Sequence, residues 1–172
     1  MQTKKTKEEL FDIVNERDEV IGTATRKEAH EKKLMHRAVH AIFFNWSNNI
    51  LLQKRSLAKD TFPGIWTTSC SGHVDSGETY EEALIRECKE ELGVSLKLSD
   101  FKYIGKLPPS EETGNEFTQV YTITNMGPFV FTHTEVQSLD WMPISMFEIQ
   151  SKIMPHQFTP SLLKVYDFYK NV

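Results

Sequence analysis

Alternating apolar and polar positions divide the chain into short strands and amphipathic helices. Residues 10–26 predict two short strands around the polar turn Glu16–Glu19, which form a hairpin at the edge of the domain. A short helical stretch is predicted to follow at 26–33. Residues 1–9 contain polar and basic side chains without an apolar run, and we expect a flexible N-terminal tail there.

Runs of apolar and β-branched residues predict the strands of a central sheet. The first two runs lie on either side of the turn 46–49, and we expect them to pair with each other. A third run follows a loop broken by Pro63 and Gly64, and it predicts a strand that ends at a glycine. The predicted strands are 37–45, 50–55, 66–73, 101–107 and 116–124, with the polar loop 108–115 between the last two.

A helix is predicted at 79–92, directly after the glycine-ended strand. Thr79 and Glu82 have the spacing of a capping box at its start, and Gly93 lies where a C-terminal cap belongs. The apolar residues between them recur at helical spacing, at Ala83, Leu84, Cys88 and Leu92. This pattern predicts that one face of the helix packs on the core.

The order of these elements predicts an α/β fold with a mixed sheet and helices on both faces. Segment 138–143, a helix that begins near Pro143 and an amphipathic helix within 160–169 complete the pattern. At 172 residues the chain has the length of one domain and can bury a sizeable core. We therefore expect a single domain over 10–172.

The net charge limits the kinds of ligand expected for this chain, and the cysteine content indicates its cellular compartment. A net charge of −4 gives no overall attraction to a nucleic-acid polymer or an anionic membrane, so a phosphate-bearing ligand would need a local site. No stretch approaches the roughly 20 apolar residues of a membrane span. Cys70 and Cys88 are too few for a disulfide framework, so we expect reduced thiols and a cytoplasmic protein. A monomer and a homodimer both stay open.

Three glutamates crowd one face of the predicted helix 79–92. Glu87, Glu90 and Glu91 stand at positions i, i+3 and i+4, where like charges repel each other. They also lie on the last turns of the helix, where its dipole disfavours anions. A solvated acidic face is one interpretation. The other is a site for a hard divalent cation such as Mg²⁺, which prefers oxygen ligands and phosphate-bearing substrates.

The sequence 72–94 resembles the Nudix box in every fixed position. The match consists of Gly72, Glu78, Arg86-Glu87, Glu90-Glu91 and Gly93 at the family's spacing, and its one soft departure is Cys88 at an apolar position. The resemblance implies the Nudix α/β/α sandwich, here with an N-terminal β-hairpin extension. It also implies Mg²⁺ or Mn²⁺ as cofactor and a small diphosphate-containing substrate.

The same resemblance assigns roles to individual residues. Glu87 and Glu91 would be the leading metal ligands, Glu90 would join them directly or through water, and the Gly72 backbone carbonyl is often a ligand too. Arg86 would orient the glutamates. A carboxylate, either Glu87 or a more distant glutamate, would accept a proton from the attacking water.

Outside the box the chain resembles the subgroup that contains type I isopentenyl-diphosphate isomerase and its hydrolase-like relatives. The similar stretches are 12–22, 36–45, 54–73 and 115–121. The isomerase uses a cysteine immediately before the Gly-His pair, but this chain has Ser71 there and Cys70 one residue earlier. Neighbouring side chains on a strand face opposite sides, so Cys70 cannot simply replace a residue at 71.

Part of the isomerase metal site also has counterparts in this chain. Glu116 matches the catalytic glutamate, which makes it a candidate metal ligand or base, whereas its metal-binding partner two residues earlier is replaced by Gly114. His36 and His73 match two of three metal-binding histidines. His30 is a candidate for the third, with a one-residue shift in spacing. A purely structural role for these histidines stays open, as does a substrate-binding role for His73.

Arg55 and Lys59 lie where this subgroup places basic residues that bind the diphosphate. A diphosphate needs cationic donors on the side away from the metal, although two cations in a loop are ordinarily surface charges. Trp66 is expected in the core rather than as a stacking platform for a base.

Three functions are compatible with these features. The leading hypothesis is a Mg²⁺-dependent Nudix hydrolase that cleaves a phosphoanhydride bond in a nucleoside diphosphate derivative or another small diphosphate. The alternative is an isopentenyl-diphosphate isomerase with an altered acid group. The third is a non-catalytic diphosphate-binding module, which the intact box disfavours because loss of catalysis would relax the demand for all three glutamates.

Overall fold

The computed structural model describes residues 9–172, so the predicted tail lies outside the described residues except for Glu9. The backbone carbonyl of Glu9 accepts a hydrogen bond from Arg26 N–H at 3.0 Å. The elements in chain order are β1 (Leu10–Val14), β2 (Val20–Thr25), α1 (Arg26–Glu31), β3 (His36–Phe44), β4 (Asn49–Arg55), β5 (Trp66–Thr67), β6 (Cys70–His73), α2 (Tyr80–Leu92), β7 (Phe101–Leu107), β8 (Glu116–Thr124), β9 (Val136–Pro143), α3 (Ile144–Ile153) and α4 (Pro160–Lys170).

Within residues 9–172, seven strands form one mixed sheet, which confirms the predicted sheet type. Its central order is β5-β4-β3-β8-β7; β6 pairs with the first half of β3, and β9 pairs with β4. Strands β3 and β8 are parallel, whereas the other pairs are antiparallel. The parallel pair places the N-terminal ends of two strands distant in sequence side by side.

Helices cover both faces of this sheet, as predicted. Val39, Ala41 and Phe43 of β3 pack in one core cluster with Leu84, Cys88 and Leu92 of α2. On the other face, Ile42 and Val120 pack with Phe147 of α3 and with Leu162 and Val165 of α4. Side chains alternate between the faces of a strand, so an apolar strand such as β3 supplies both layers. The result is an α/β/α sandwich.

The N-terminal hairpin is present as predicted and is anchored to the sandwich. Strands β1 and β2 pair antiparallel around the turn that contains Asp18, which has a left-handed backbone conformation. The buried Asp18 carboxylate accepts hydrogen bonds from Arg37 Nε at 2.6 Å, Lys106 Nζ at 2.6 Å and Tyr80 Oη at 2.9 Å. These three donors come from β3, β7 and α2. The hairpin turn is thus held by three separate elements.

The capping signals of α2 are confirmed. Glu82 N–H donates to Thr79 Oγ1 at 3.2 Å, and Thr79 N–H donates to the Glu82 carboxylate at 2.9 Å. Gly93 ends the helix with a φ of 69°, a conformation that glycine adopts without steric cost.

The prediction of one continuous strand over 66–73 was wrong. The segment forms β5, which pairs with β4, and β6, which pairs with β3. Ser69 lies at the break, where its hydroxyl donates to Leu51 O at 2.6 Å and accepts from Phe43 N–H at 2.8 Å. The predicted pairing of β3 with β4 is confined to Phe44 and Ile50, because β6 pairs with β3 along Ala38–Ala41.

Candidate active site

The carboxylates of α2 lie against the backbone of β6. Glu87 sits directly over Gly72, where a Cβ atom would overlap the Glu87 carboxyl group. Glycine is therefore required for helix and strand to approach this closely. Glu91, one turn further along α2, is buried, whereas the Glu90 side chain is 60% exposed.

Arg86 connects these carboxylates. Its Nε and Nη2 donate to the two carboxylate oxygens of Glu78, both at 2.9 Å, and Nη2 also donates to His73 O at 2.9 Å. Its Nη1 donates to Glu87 Oε1 at 2.6 Å and to Glu90 Oε2 at 3.4 Å. The bonds to Glu78 and the charge of Glu87 raise the pKa of Arg86, because both stabilise the guanidinium. One cation thus holds the carboxylates of Glu78, Glu87 and Glu90 in a fixed arrangement.

Gln53, which was not singled out from the sequence, and the backbone amide of Ser71 hold Glu91. Gln53 Nε2 donates to Glu91 Oε2 at 2.9 Å, and Ser71 N–H donates to the same oxygen at 3.3 Å. Burial nevertheless raises the pKa of Glu91. Burial and the neighbouring charge of Glu91 raise the pKa of Glu87 to about 8. The signal for Gln53 in the sequence is its amide within the otherwise apolar start of β4.

This set of oxygen donors fits a hard divalent cation. Glu87 and Glu91 are carboxylates on one helix face with little solvent exposure, and the charge of Glu91 destabilises the charged form of Glu87. A cation between them would relieve that repulsion. Mg²⁺ and Mn²⁺ prefer such carboxylate and carbonyl ligands.

A second group of candidate ligand atoms lies on the opposite face of β6. Strand β8 pairs Glu116 with His36, and β6 pairs His73 with Ala38, two residues further along β3. Directly paired residues share a face of the sheet, so His36, His73 and Glu116 project to the same side. His30 of α1 joins them, and one ligand atom from each of the four residues lies within 4.8 Å of the others.

The distances within this histidine cluster are short. Glu116 Oε1 lies 3.1 Å from His73 Nε2 and 3.5 Å from His36 Nε2, and His30 Nε2 lies 3.3 Å from His73 Nε2. Burial alone would raise the pKa of Glu116, but the adjacent imidazoles of His36 and His73 outweigh it and hold that pKa well below its usual range. Burial, together with His73 and His36, lowers the pKa of His30 to about 4.

The buried His36 ring indicates that the cluster suits a metal ion. His36 Nδ1 lies 2.8 Å from Leu34 O, an acceptor that directs the ring proton to Nδ1. His36 Nε2 lies 3.5 Å from Glu116 Oε1, and among residues 9–172 it has no hydrogen-bond partner. A ligating histidine whose other nitrogen donates to a backbone carbonyl is the usual arrangement at protein metal sites. The donor set therefore fits Mn²⁺ or a similar divalent ion.

Phe11 of the hairpin supports this cluster and was not predicted as part of the site. Its fully buried ring stacks on His73 at a centroid distance of 4.5 Å and on His36 at 5.3 Å. The sequence offers only an apolar position on an edge strand as a signal. The hairpin extension thus contributes directly to the site through Phe11, and the adjoining α1 contributes His30.

The structure bears out the expected opposite orientations of Cys70 and Ser71. Cys70 is fully buried in the core cluster that contains Cys88, and burial raises its pKa well above the usual value. Ser71 pairs with His40 and lines the cleft on the histidine face of β6. The side chain next to the Gly-His pair in the cleft is therefore a hydroxyl.

One large cleft of about 1160 Å³ is lined by Glu87, Glu90 and Glu91 and by His30, His73 and Glu116 of the histidine cluster. The basic residues predicted to bind the diphosphate line it too. Arg55 donates from Nε to Thr61 O at 2.9 Å and from Nη2 to Thr61 Oγ1 at 3.1 Å. Lys59 forms an ion pair with Glu135. Arg26, which was not predicted, also lines the cleft and forms a bidentate pair with Asp60 at 3.3 and 3.4 Å.

Trp66 lies outside the cleft. It packs against the core cluster under α3 and α4, and Lys54 Nζ lies 5.5 Å from the ring centroid. This position agrees with the expected core role. Among the helices of residues 9–172, none has the length and apolar character needed to cross a membrane.

Comparisons with known proteins agree with this geometry. Residues 34–166 match the family model of the NUDIX domain. The chain is 31% identical over 157 residues to an isopentenyl-diphosphate Delta-isomerase of Enterobacter sp. (strain 638), with 86% of this chain and 84% of the relative covered. It is 33% identical over 135 residues to a Nudix hydrolase of Deinococcus radiodurans, with 78% and 79% covered.

A solved structure is also similar to this chain. A crystal structure of a Deinococcus radiodurans protein superposes with a TM-score of 0.75 at 30% sequence identity, covering 85% of this chain and 90% of that one. The matched family model spans the box, the histidines at 36 and 73, and Glu116. The chain belongs to the Nudix family, in the subgroup that resembles isopentenyl-diphosphate isomerase.

Proposed function

We propose that this protein is a divalent-metal-dependent hydrolase that cleaves a phosphoanhydride bond in a small diphosphate. The observation that carries the proposal is the packing of Glu87 and Glu91 beside Gly72, with Arg86 bound to Glu87, in the same cleft as Arg55 and Lys59. A bound diphosphate needs a metal ion and cationic side chains that neutralise its charge. The carboxylates can bind the metal ion, and Arg55 and Lys59 supply the positive charge.

Glu87 and Glu91 would hold the cation, with Glu90 and the Gly72 carbonyl at the same end of the cleft. A bound Mg²⁺ or Mn²⁺ would supply charge neutralisation for the phosphates and lower the pKa of a water molecule. Arg86 keeps the Glu87 carboxylate in place through its 2.6 Å hydrogen bond. Gln53 and the Ser71 amide do the same for Glu91.

Proton transfer requires a carboxylate that faces the cleft. Glu87 and Glu116 both line it, and either can accept the proton of an attacking water. Arg55 and Lys59 would bind phosphate oxygens on the far side, exchanging Thr61 and Glu135 for the substrate. Arg26 is a third cation available to the same anion.

Hydrolysis of a panel of diphosphates, measured by chromatography of the products, tests this proposal. Nucleoside diphosphates, ADP-ribose and isopentenyl diphosphate would be assayed with Mg²⁺ or Mn²⁺. Glu91→Gln and Glu87→Gln should each lower kcat at least 100-fold, because each removes a charged ligand. Glu82→Gln is the matched control on the same helix, since glutamine preserves a capping box. Hydrolysis that is unchanged in Glu91→Gln would refute the metal assignment.

A specific observation favours isopentenyl-diphosphate isomerisation as the second candidate. Residues His30, His36, His73 and Glu116 converge as a ligand set in a chain similar to an isomerase. Against it stands Ser71, because a serine hydroxyl is far too weak an acid to protonate carbon. Proton exchange of isopentenyl diphosphate in D₂O, followed by NMR, separates the two functions. If isomerisation persisted in Ser71→Ala but was lost in Cys70→Ala, isomerisation would become the first candidate function and hydrolysis the second.

A further inference from the structure

Strands β3 and β6 supply a polar floor to the cleft. Side chains at alternate positions of β3 share a face, so Ala38 and His40 project to the same side as His36 of the histidine cluster. Ala38 and His40 both line the cleft. Ser71 pairs directly with His40 and lines it too. An imidazole and a hydroxyl therefore lie side by side in the cleft that contains the proposed diphosphate site.

The hydrogen bonds around His40 determine which ring nitrogen carries its proton. His40 Nδ1 lies 2.8 Å from Thr68 Oγ1, and the Thr68 hydroxyl donates to Cys70 O at 3.4 Å. Because Thr68 uses its one hydroxyl proton in that bond, its oxygen accepts from Nδ1–H of His40. Burial lowers the pKa of His40 to about 4, so the ring is neutral at physiological pH. In a neutral ring with its proton on Nδ1, Nε2 is a hydrogen-bond acceptor.

This acceptor limits the kind of ligand group that His40 can bind. Within residues 9–172, the ring forms its hydrogen bond through Nδ1, and Nε2 forms none. The oxygens of a metal-bound diphosphate are ionised and accept hydrogen bonds, so they cannot donate to Nε2. The partner of Nε2 must therefore be an O–H or N–H on the group attached to the diphosphate.

The neighbours of His40 favour a hydroxyl as that partner. A ligand hydroxyl can donate to His40 Nε2 and accept from the Ser71 hydroxyl at the same time, whereas an N–H group can only donate. Thr118 pairs with Ala38 on the same face, and its buried hydroxyl has no hydrogen-bond partner in the described part of the chain. Polar groups without partners make an apolar occupant of this floor unfavourable.

We propose that His40 is a specificity-determining residue that accepts a hydrogen bond from a hydroxyl of the group attached to the diphosphate, with Ser71 as a second contact. The substrate class is then a diphosphate ester of a hydroxylated group rather than of a plain hydrocarbon. This inference rests on the proposed function for the position of the diphosphate beside Arg55 and Lys59. Thr68 is a positioning residue, because it keeps the proton of His40 on Nδ1.

Matched ligands test the inference without catalysis. Monoesters of methylenediphosphonate, which cannot be hydrolysed at the P–C–P bridge, would be titrated calorimetrically in Mg²⁺ buffer. Hydroxyethyl, hydroxypropyl and hydroxybutyl esters would each be compared with the alkyl ester and the aminoalkyl ester of the same chain length. At least one hydroxyalkyl ester should bind about three- to tenfold more tightly than its alkyl match, which is the effect of one neutral hydrogen bond.

Substitutions assign the preference to named side chains. His40→Leu should bind both esters of each pair equally, because leucine has no acceptor. His40→Gln should keep the preference for the hydroxyalkyl ester, since its amide carbonyl can replace Nε2. Ser71→Ala should reduce the preference about twofold, and it tests the site even if His40→Leu fails to fold. His133→Leu is the matched control, because His133 is an exposed histidine that does not line the cleft, and it should keep the wild-type ratio.

Equal affinities within every pair in the wild-type protein would overturn the inference. So would the wild-type preference in His40→Leu, or tighter binding of the aminoalkyl than of the hydroxyalkyl esters. Assays with the corresponding hydroxyalkyl diphosphates separate this inference from the proposed function. Hydrolysis without the binding preference would refute the role of His40 alone, whereas the preference without hydrolysis would refute the proposed hydrolysis alone.

Discussion

His36 and Glu116 occupy the same register position of two parallel strands, and their side chains meet at 3.5 Å although eighty residues separate them in sequence. The pairing brings a buried imidazole nitrogen without a hydrogen-bond partner in residues 9–172 to the edge of a carboxylate. His30 and His73 lie next to this contact and complete the histidine cluster.

Glu116→Gln should weaken binding of Mn²⁺ to the histidine cluster at least tenfold, because it removes the one negative charge among the four candidate ligands. Titration of the metal-free protein with Mn²⁺, followed by electron paramagnetic resonance, measures the affinity. Glu112→Gln is the control, since Glu112 lines the same cleft but pairs with Lys164. Equal Mn²⁺ affinities in Glu116→Gln and wild type would exclude Glu116 as a ligand.

Gly72→Ala should destabilise the protein by about 1–3 kcal/mol and reduce metal binding, because the new methyl group would occupy the position of the Glu87 carboxyl. Urea denaturation measures the free energy of unfolding. Gly22→Ala provides the comparison, because a Cβ atom at Gly22 meets no neighbour within 4 Å. If both alanine variants unfold at the same urea concentration, the close packing of Glu87 on Gly72 is not a constraint.

Asp18→Asn should lower the free energy of unfolding by roughly 2–4 kcal/mol, since it leaves the cations Arg37 and Lys106 without their shared carboxylate. Burial opposes ionisation of Asp18, but the hydrogen bonds from Lys106 and Arg37 outweigh it and lower the pKa. Amide hydrogen exchange should show faster opening of the hairpin than of β8. Glu19→Gln, an exposed change in the same turn, should leave exchange as in wild type.

Acidification should destabilise the protein through His40. Burial lowers the pKa of His40 from 6.5 to about 4, and His40 Nδ1 lies 2.8 Å from Thr68 Oγ1. The unfolded chain therefore binds a proton at a higher pH than the folded protein does. The contribution of neutral His40 to the free energy of unfolding is fully present above pH 6.5 and is lost as the pH falls towards 4. The total loss is about 3 kcal/mol.

Denaturation of metal-free protein between pH 7 and pH 4 measures this effect. His40→Gln should reduce the slope of the free energy of unfolding against pH, because glutamine does not titrate. The slope that remains would include His30, whose pKa is also lowered to about 4. The same slope in His40→Gln and wild type would contradict the assignment.

Local patterns in the sequence determined much of the site. Spacing on one helix places Glu87, Glu90 and Glu91 on a common face, and the capping signals at Thr79 and Gly93 define where that helix begins and ends. The alternation of side chains along a strand separates Cys70 from Ser71. These features depend on neighbours within a few residues, so periodicity alone reveals them.

Only the tertiary structure decided how distant segments meet. The parallel register of β3 and β8 joins His36 to Glu116, the hairpin brings Phe11 onto the histidine rings, and β4 delivers Gln53 to Glu91. The break at Thr68–Ser69 also depends on strand partners, because β5 and β6 pair with different neighbours. Strand register and strand order are set by packing across the whole sheet, and no short-range pattern in the sequence encodes them.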